Sequence, residues 1–125
     1  MLINEVTNTN KFRVSSQSNF ARGFTVELFV GNAKVGAYKY SVDEEGDAFH
    51  DVSISPEFQR KGYGTMLVLK AIQTAHDNEL GYGYDSLGQT KDFDALQQSL
   101  AANGLVHNSA LTDKGEDALF DFTNG

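Results

Sequence analysis

The only proline in this 125-residue chain, Pro56, stands between two incompatible periodicities. Before it, Val52 and Ile54 alternate with Ser53, the period-two pattern of a strand with one buried face. After it, Met66, Leu67, Leu69, Ala71 and Ile72 recur at helical spacing, with Lys70, Gln73 and His76 on the other face. Proline cannot donate to a strand ladder, so the strand is expected to end at Pro56. The residues between the two patterns, Gln59-Arg60-Lys61-Gly62-Tyr63-Gly64-Thr65, must then form a tight loop leading into the first turn of a helix over 62–78.

Such a junction favours an anion. A helix start exposes about four N–H groups without intrahelical acceptors, and the aligned peptide dipoles place roughly half a positive charge there. Gly62 and Gly64 allow a ligand to approach the backbone closely, and Arg60 and Lys61 add positive charge. A phosphate or pyrophosphate suits the site. A glycine-rich turn before a helix is also often only a turn. The Walker A spelling is absent, and the dinucleotide fingerprint fails because Leu67 stands where its third glycine would be.

The spelling Gln59-x-x-Gly62-x-Gly64, after a strand and a proline and before an amphipathic helix, resembles motif A of the GCN5-related N-acetyltransferases (GNAT). The run 59–67 is closest to the histone-acetyltransferase branch. The clear resemblance covers about residues 47–80, and a weaker one extends over 24–106. It implies an α+β fold with a mixed, mainly antiparallel central sheet flanked by helices, here as a single domain over 1–125. It also implies acetyl-CoA as co-substrate. The loop amides and side chains of Gln59, Arg60, Lys61, Gly62, Tyr63, Gly64 and Thr65 would hold its pyrophosphate, and the strand containing Val52, Ser53 and Ile54 would pair with its pantetheine arm.

Strands are expected at 24–30, 34–42 and 48–54. They are joined by a turn at Gly31-Asn32 and an acidic turn over 43–47, which gives an antiparallel meander. Weaker strand signals lie at 2–6 and 11–16. The connection 15–22 is polar and short where the family usually carries one or two helices, so the N-terminal region reads as reduced. Residues 81–87 stand where the family has a strand that splays to open the cofactor cleft. A helix over 91–103, with Phe93, Leu96 and Leu100 inward, stops at Asn103-Gly104. A strand begins at 105–107, and Thr112 caps a last short helix.

Composition bounds the rest. With no cysteine, disulfides, thiolate metal sites and a cysteine nucleophile are excluded. No metal site is expected, since His76 has no partner at ligand spacing. No apolar run approaches the roughly 20 residues that cross a bilayer, and the first ten residues do not read as a secretory signal, so a cytoplasmic protein is expected. The formal net charge of −7 disfavours nucleic acid and suits an amine-bearing, possibly basic, substrate; acidity that merely keeps a small protein in solution explains it equally.

Acetyl transfer to an amine needs a polarised carbonyl, a neutral amine and a proton for the leaving thiolate. A backbone N–H near 52–54 would supply the first. The carboxylate of the histone-acetyltransferase branch falls on Ala48; His50, two residues on along the same face, and the adjacent Asp47 are the candidate substitutes, His50 being the preferred base, with a structural histidine as the alternative. The tyrosine common in the family falls on Leu100; Tyr84, Asp85 and Ser86 are the candidate stand-ins, Tyr84 and Ser86 foremost, while Tyr82 and Tyr84 read equally as core aromatics. Two readings follow: an N-acetyltransferase acting on a primary amine of a small molecule or protein lysine, and a catalytically weak GNAT-fold protein that binds a CoA ligand or a protein partner.

Overall fold

The computed structural model describes residues 9–16, 19–80, 91–107 and 110–124, the side chains of 91–94 excepted. The expected strand at 2–6, the splayed strand at 81–87 and the inward placement of Phe93 lie outside the described residues. Four strands, β1 (Asn10–Ser16), β2 (Gly23–Val30), β3 (Ala33–Val42) and β4 (Ala48–Ile54), form an antiparallel sheet in the order β1-β2-β3-β4. This is the meander read from the sequence, with the weak signal at 11–16 added as its first strand. Each connection is short. Residues 17–22 join β1 to β2, too few for the helices usual there in the family, and the turn at 31–32 places Gly31 at φ 64°.

Alternation decides the two faces. Phe24, Val26 and Leu28 on β2, Tyr38 and Tyr40 on β3, and Ala48 and His50 on β4 are buried on one face. Helix α1 (Tyr63–Asp77) covers that face with Leu67, Val68, Leu69, Ala71, Ile72 and Ala75. Burying each such aliphatic side chain contributes about 1.5–3 kcal/mol before entropy is subtracted. Helix α2 (Lys91–Ala102) adds Leu100 to the same core, and α3 (Asp113–Asn124) adds Leu119 and sets Phe122 against Phe12 at 5.7 Å between ring centroids. On the opposite face Lys11, Arg13, Lys39, Phe49, Asp51 and Ser53 are exposed.

The ends of the helices follow local chemistry. Gly104, at φ 73°, terminates α2, and Lys114 Nζ donates to the Asn103 carbonyl at 2.9 Å. A two-residue ladder, β5 (Val106–His107) with β6 (Ala110–Leu111), leads into α3. There Thr112 Oγ1 accepts from Gly115 N–H at 3.1 Å, the cap expected from the sequence.

One irregularity positions the loop after β4. Leu28 pairs with Gly36 but Phe29 pairs with Lys34, so Val35 is an extra residue in β3. The Val35 carbonyl accepts the Ser55 N–H at 2.9 Å, which ties the end of β4 to the bulge.

Candidate functional site

The chain leaves β4 at Ile54 and makes one 3-10 turn over Pro56–Phe58, with Phe58 N–H donating to the Ser55 carbonyl at 2.8 Å. The Gln59 side chain then turns back and donates from Nε2 to the Ile54 carbonyl at 3.1 Å. This pins the loop to the strand end. Arg60 takes φ 65° and Gly62 φ 80°, both left-handed, so the chain reverses within three residues and enters α1. Gly62 is the N-cap, and a left-handed cap is the conformation for which glycine pays no steric cost. Arg60 was not expected to need it, since nothing in its side chain marks a positive φ.

The start of α1 has the properties expected of an anion site. No side chain caps it, and no acidic residue lies in its first turn. The first helical bond is from Met66 N–H to the Gly62 carbonyl, at 3.2 Å, so the amides of Tyr63, Gly64 and Thr65 precede the intrahelical ladder. Arg60 and Lys61 are exposed, and neither has a carboxylate within ion-pair distance among the described residues. Gly64 is not dictated by packing: a Cβ there would meet only Val52 Cγ1 at 3.9 Å and Ile54 Cγ1 at 4.0 Å, ordinary contacts. The Tyr63 ring turns away from the loop, between Phe58 (6.2 Å) and Phe122 (6.0 Å), so its side chain anchors the helix start.

Val52, Ser53 and Ile54 lie on β4, which pairs only with β3 among the described residues. The strand leads directly into the loop that opens α1. A small cavity of about 260 Å³, lined by Lys34, Gly36, Ala37, Ser53, Ile54 and Ser55, sits beside the same junction. A larger groove of about 810 Å³ lies elsewhere, between β1, α1 and α3, and its lining includes Phe12, Lys70, Leu119 and Phe120. It shares no residue with the loop.

His50 faces the core at 1% exposure, more deeply than a half-buried strand histidine. Its Nδ1 is hydrogen-bonded to the hydroxyl of Tyr38 at 2.5 Å, and its ring lies 5.1 Å from that of Tyr40. Tyr38 carried no signal in the sequence beyond its strand position; the diagonal pairing across β3 and β4 brings it to His50. Burial raises the Tyr40 phenol above its usual pKa, so that side chain is neutral and protonated at physiological pH. Ala48 is buried, as an apolar residue at that position should be. Tyr84 and Ser86 lie outside the described residues.

On the open face, Glu27 receives Arg13 Nε at 2.8 Å and Lys34 Nζ at 2.7 Å. The Lys34 ammonium and then the Arg13 guanidinium hold its carboxyl below the usual range. Asp43, Glu45 and Asp47 gather their carboxylates at the exposed β3–β4 turn, where Asp43 Oδ1 accepts the backbone N–H groups of Glu45 and Asp47 at 2.9 Å. This organises the turn.

No helix among the described residues is long and apolar enough to cross a membrane. No curated protein and no solved structure matches the chain. The model of the acetyltransferase (GNAT) family matches it over residues 6–98, a span that holds the whole four-stranded sheet, the loop 59–65 and α1. The strand–loop–helix geometry and that match agree, and the chain belongs to the GNAT family.

Proposed function

We propose that this chain is an N-acetyltransferase that moves the acetyl group of acetyl-CoA to a primary amine of a small molecule or a protein lysine. Family membership supports acyl transfer in general. The observation that carries the finer reading is the uncapped start of α1. Its first-turn amides follow a left-handed Gly62 and two cations that have no carboxylate partner among the described residues, and they include that of Gly64, a glycine that packing does not require. These features fit a pyrophosphate, which accepts hydrogen bonds from backbone N–H groups and prefers positive potential. The edge of β4 at Val52, Ser53 and Ile54, which pairs with no strand among the described residues, fits the amide-bearing arm that joins the pyrophosphate to the thioester.

In the proposed reaction the neutral amine attacks the thioester carbonyl carbon. The carbon–sulfur bond breaks, the amine loses a proton, and the CoA thiolate gains one. A backbone N–H of β4 would stabilise the oxyanion. His50 is the base proposed for the amine, and Tyr84 and Ser86 the proton sources proposed for the thiolate. Positioning of the two reactants supplies much of the acceleration in such transfers, so the reaction does not depend on a strong base.

The second reading, a GNAT-fold protein that binds a CoA ligand or a partner with little turnover, is favoured by one observation. His50 is buried and engaged with Tyr38, so a substrate reaches it only after a side chain moves.

Calorimetric titration with acetyl-CoA, CoA and ATP tests the proposal. Binding of both CoA species and not of ATP is expected, followed by thiol release in an amine screen. Binding without thiol release for any amine would select the second reading. No binding of either CoA species would overturn both.

A further inference from the structure

The protein carries a formal charge of −7, yet one of its cavities has no acidic residue in its lining. This cavity, of about 440 Å³, lies at the end of the sheet where β1 finishes, β2 begins and β3 ends. Arg22 and Lys39 bring two cations to its lining, and Ser15, Ser16, Thr25 and Ser41 bring hydroxyls. Neither cation has a carboxylate within 4.0 Å among the described residues. Lys39 has Asp51 as its cross-strand neighbour on β4, but Asp51 forms no ion pair with it and does not line the cavity. The scaffold is fixed: the Arg22 carbonyl accepts from Val42 N–H at 3.1 Å, and its own N–H donates to the Asn19 carbonyl at 3.1 Å. Gly23 is required there, because it sits at φ 150° and a Cβ would come within 2.8 Å of the Tyr40 carbonyl oxygen.

Two cations and a ring of hydroxyls, with no competing carboxylate, are the chemistry of an oxyanion site. Position says whose oxyanion it is. Gly36, beside the loop, pairs with Ile54 at the end of β4, whereas Val42, at this cavity, pairs with Ala48 at its start. The two sites are thus separated by the length of β4, about 20 Å at ~3.3 Å per residue. An arm lying on β4 with its pyrophosphate at the loop points its thioester toward the Ala48 end. We propose that the Arg22–Lys39 cavity binds an oxyanion, phosphate or carboxylate, and that this group belongs to the acceptor amine. The second half rests on the acetyl-transfer reading.

Amide NMR on the intact chain tests the first half. Inorganic phosphate is titrated at constant ionic strength with chloride as the compensating ion. Saturating shifts are expected at Gly23, Thr25 and Ser41, and Arg22→Gln with Lys39→Gln should weaken them by about tenfold or more. Both side chains are exposed, so the variants' spectra will report directly whether the fold is kept. Shifts confined to the loop 59–65, or shifts that chloride reproduces, overturn the site.

The second half is read from kinetics at fixed acetyl-CoA. The acceptors are pairs of amines that differ only in the oxyanion: a phosphorylated amino alcohol and its parent, or an amino acid and its amide. The anionic member should have the higher kcat/KM by about tenfold, and the advantage should vanish in the double variant while the parent is used as before. An advantage that survives the double variant overturns the assignment to the acceptor. If acetyl-CoA moves no amide in 59–65 while phosphate still moves Gly23, Thr25 and Ser41, the acetyl-transfer reading and the acceptor assignment fall and the oxyanion site stands.

Discussion

Tyr38 and His50 are joined by a hydrogen bond that runs diagonally across the sheet: Tyr38 pairs in register with Val52, and His50 with Tyr40, yet the Tyr38 hydroxyl meets His50 Nδ1 at 2.5 Å. Both residues are almost fully buried. A polar pair inside an apolar core is costly to break on one side only, since the surviving partner keeps its desolvation penalty. Tyr38→Phe is therefore expected to cost about 1–3 kcal/mol in urea unfolding. His50→Ala should lower kcat with little change in the affinity for acetyl-CoA. Retention of full turnover in His50→Ala would assign the pair to stability alone.

The loop before α1 can be tested at Gly62. Gly62→Asp puts a carboxylate at the helix start that should receive the pyrophosphate, and acetyl-CoA binding is expected to be lost. Gly62→Ala keeps the charge but places a side chain at φ 80°, with nothing else within 4 Å of it. Its cost is conformational, about 1 kcal/mol, and calorimetry should show weakened, not abolished, binding.

Gly115 gives a packing prediction far from the site. A Cβ there would come 2.1 Å from the Leu105 carbonyl oxygen, a backbone atom that cannot swing aside. Gly115→Ala should thus push α3 off β5 and destabilise the chain by about 1–3 kcal/mol, measurable as a lower denaturation midpoint.

Glu27 predicts an acid-side pH dependence. Its folded pKa lies below the ordinary value of 4.5, so the pair with Lys34 and Arg13 contributes stability above that value. The contribution is lost as the pH falls through the depressed folded value, where the carboxylate takes up a proton. Glu27→Gln should be less stable than the parent by up to about 1 kcal/mol at pH 7. The gap should close in acid; a gap that persists there would mean that packing, not charge, holds this residue.

The sequence made β2, β3, β4 and α1 legible because one physical cause, a buried face, writes a period of two or of 3.6 into the residues. Thr112 and the Asn103-Gly104 stop were legible because cap chemistry is local. Neither cause reaches Arg60, whose left-handed backbone is imposed by the return of Gln59 to Ile54. Nor does either reach Tyr38, whose partner is set by the register between strands. The cationic cavity was hidden for the same reason: Arg22 and Lys39 are far apart in sequence and carry no periodic signal. Only the folding of β1, β2 and β3 into one sheet collects them.

The extra residue in β3 has an effect on parity. From Val42 back to Gly36 the even-numbered side chains face the helices, as Tyr40 and Tyr38 do; beyond Val35 the assignment inverts, and Lys34, opposite Phe29, comes out on the open side. In an unbroken ladder the same sequence would set Val35 opposite Phe29 on the open side and drive the Lys34 ammonium into the apolar layer beneath α1. With the extra residue, the same lysine reaches Glu27 while the Val35 carbonyl holds Ser55. One inserted residue thus works as a half-period phase shift in the strand, keeping a charge in water and setting the height at which the loop 59–65 leaves the sheet.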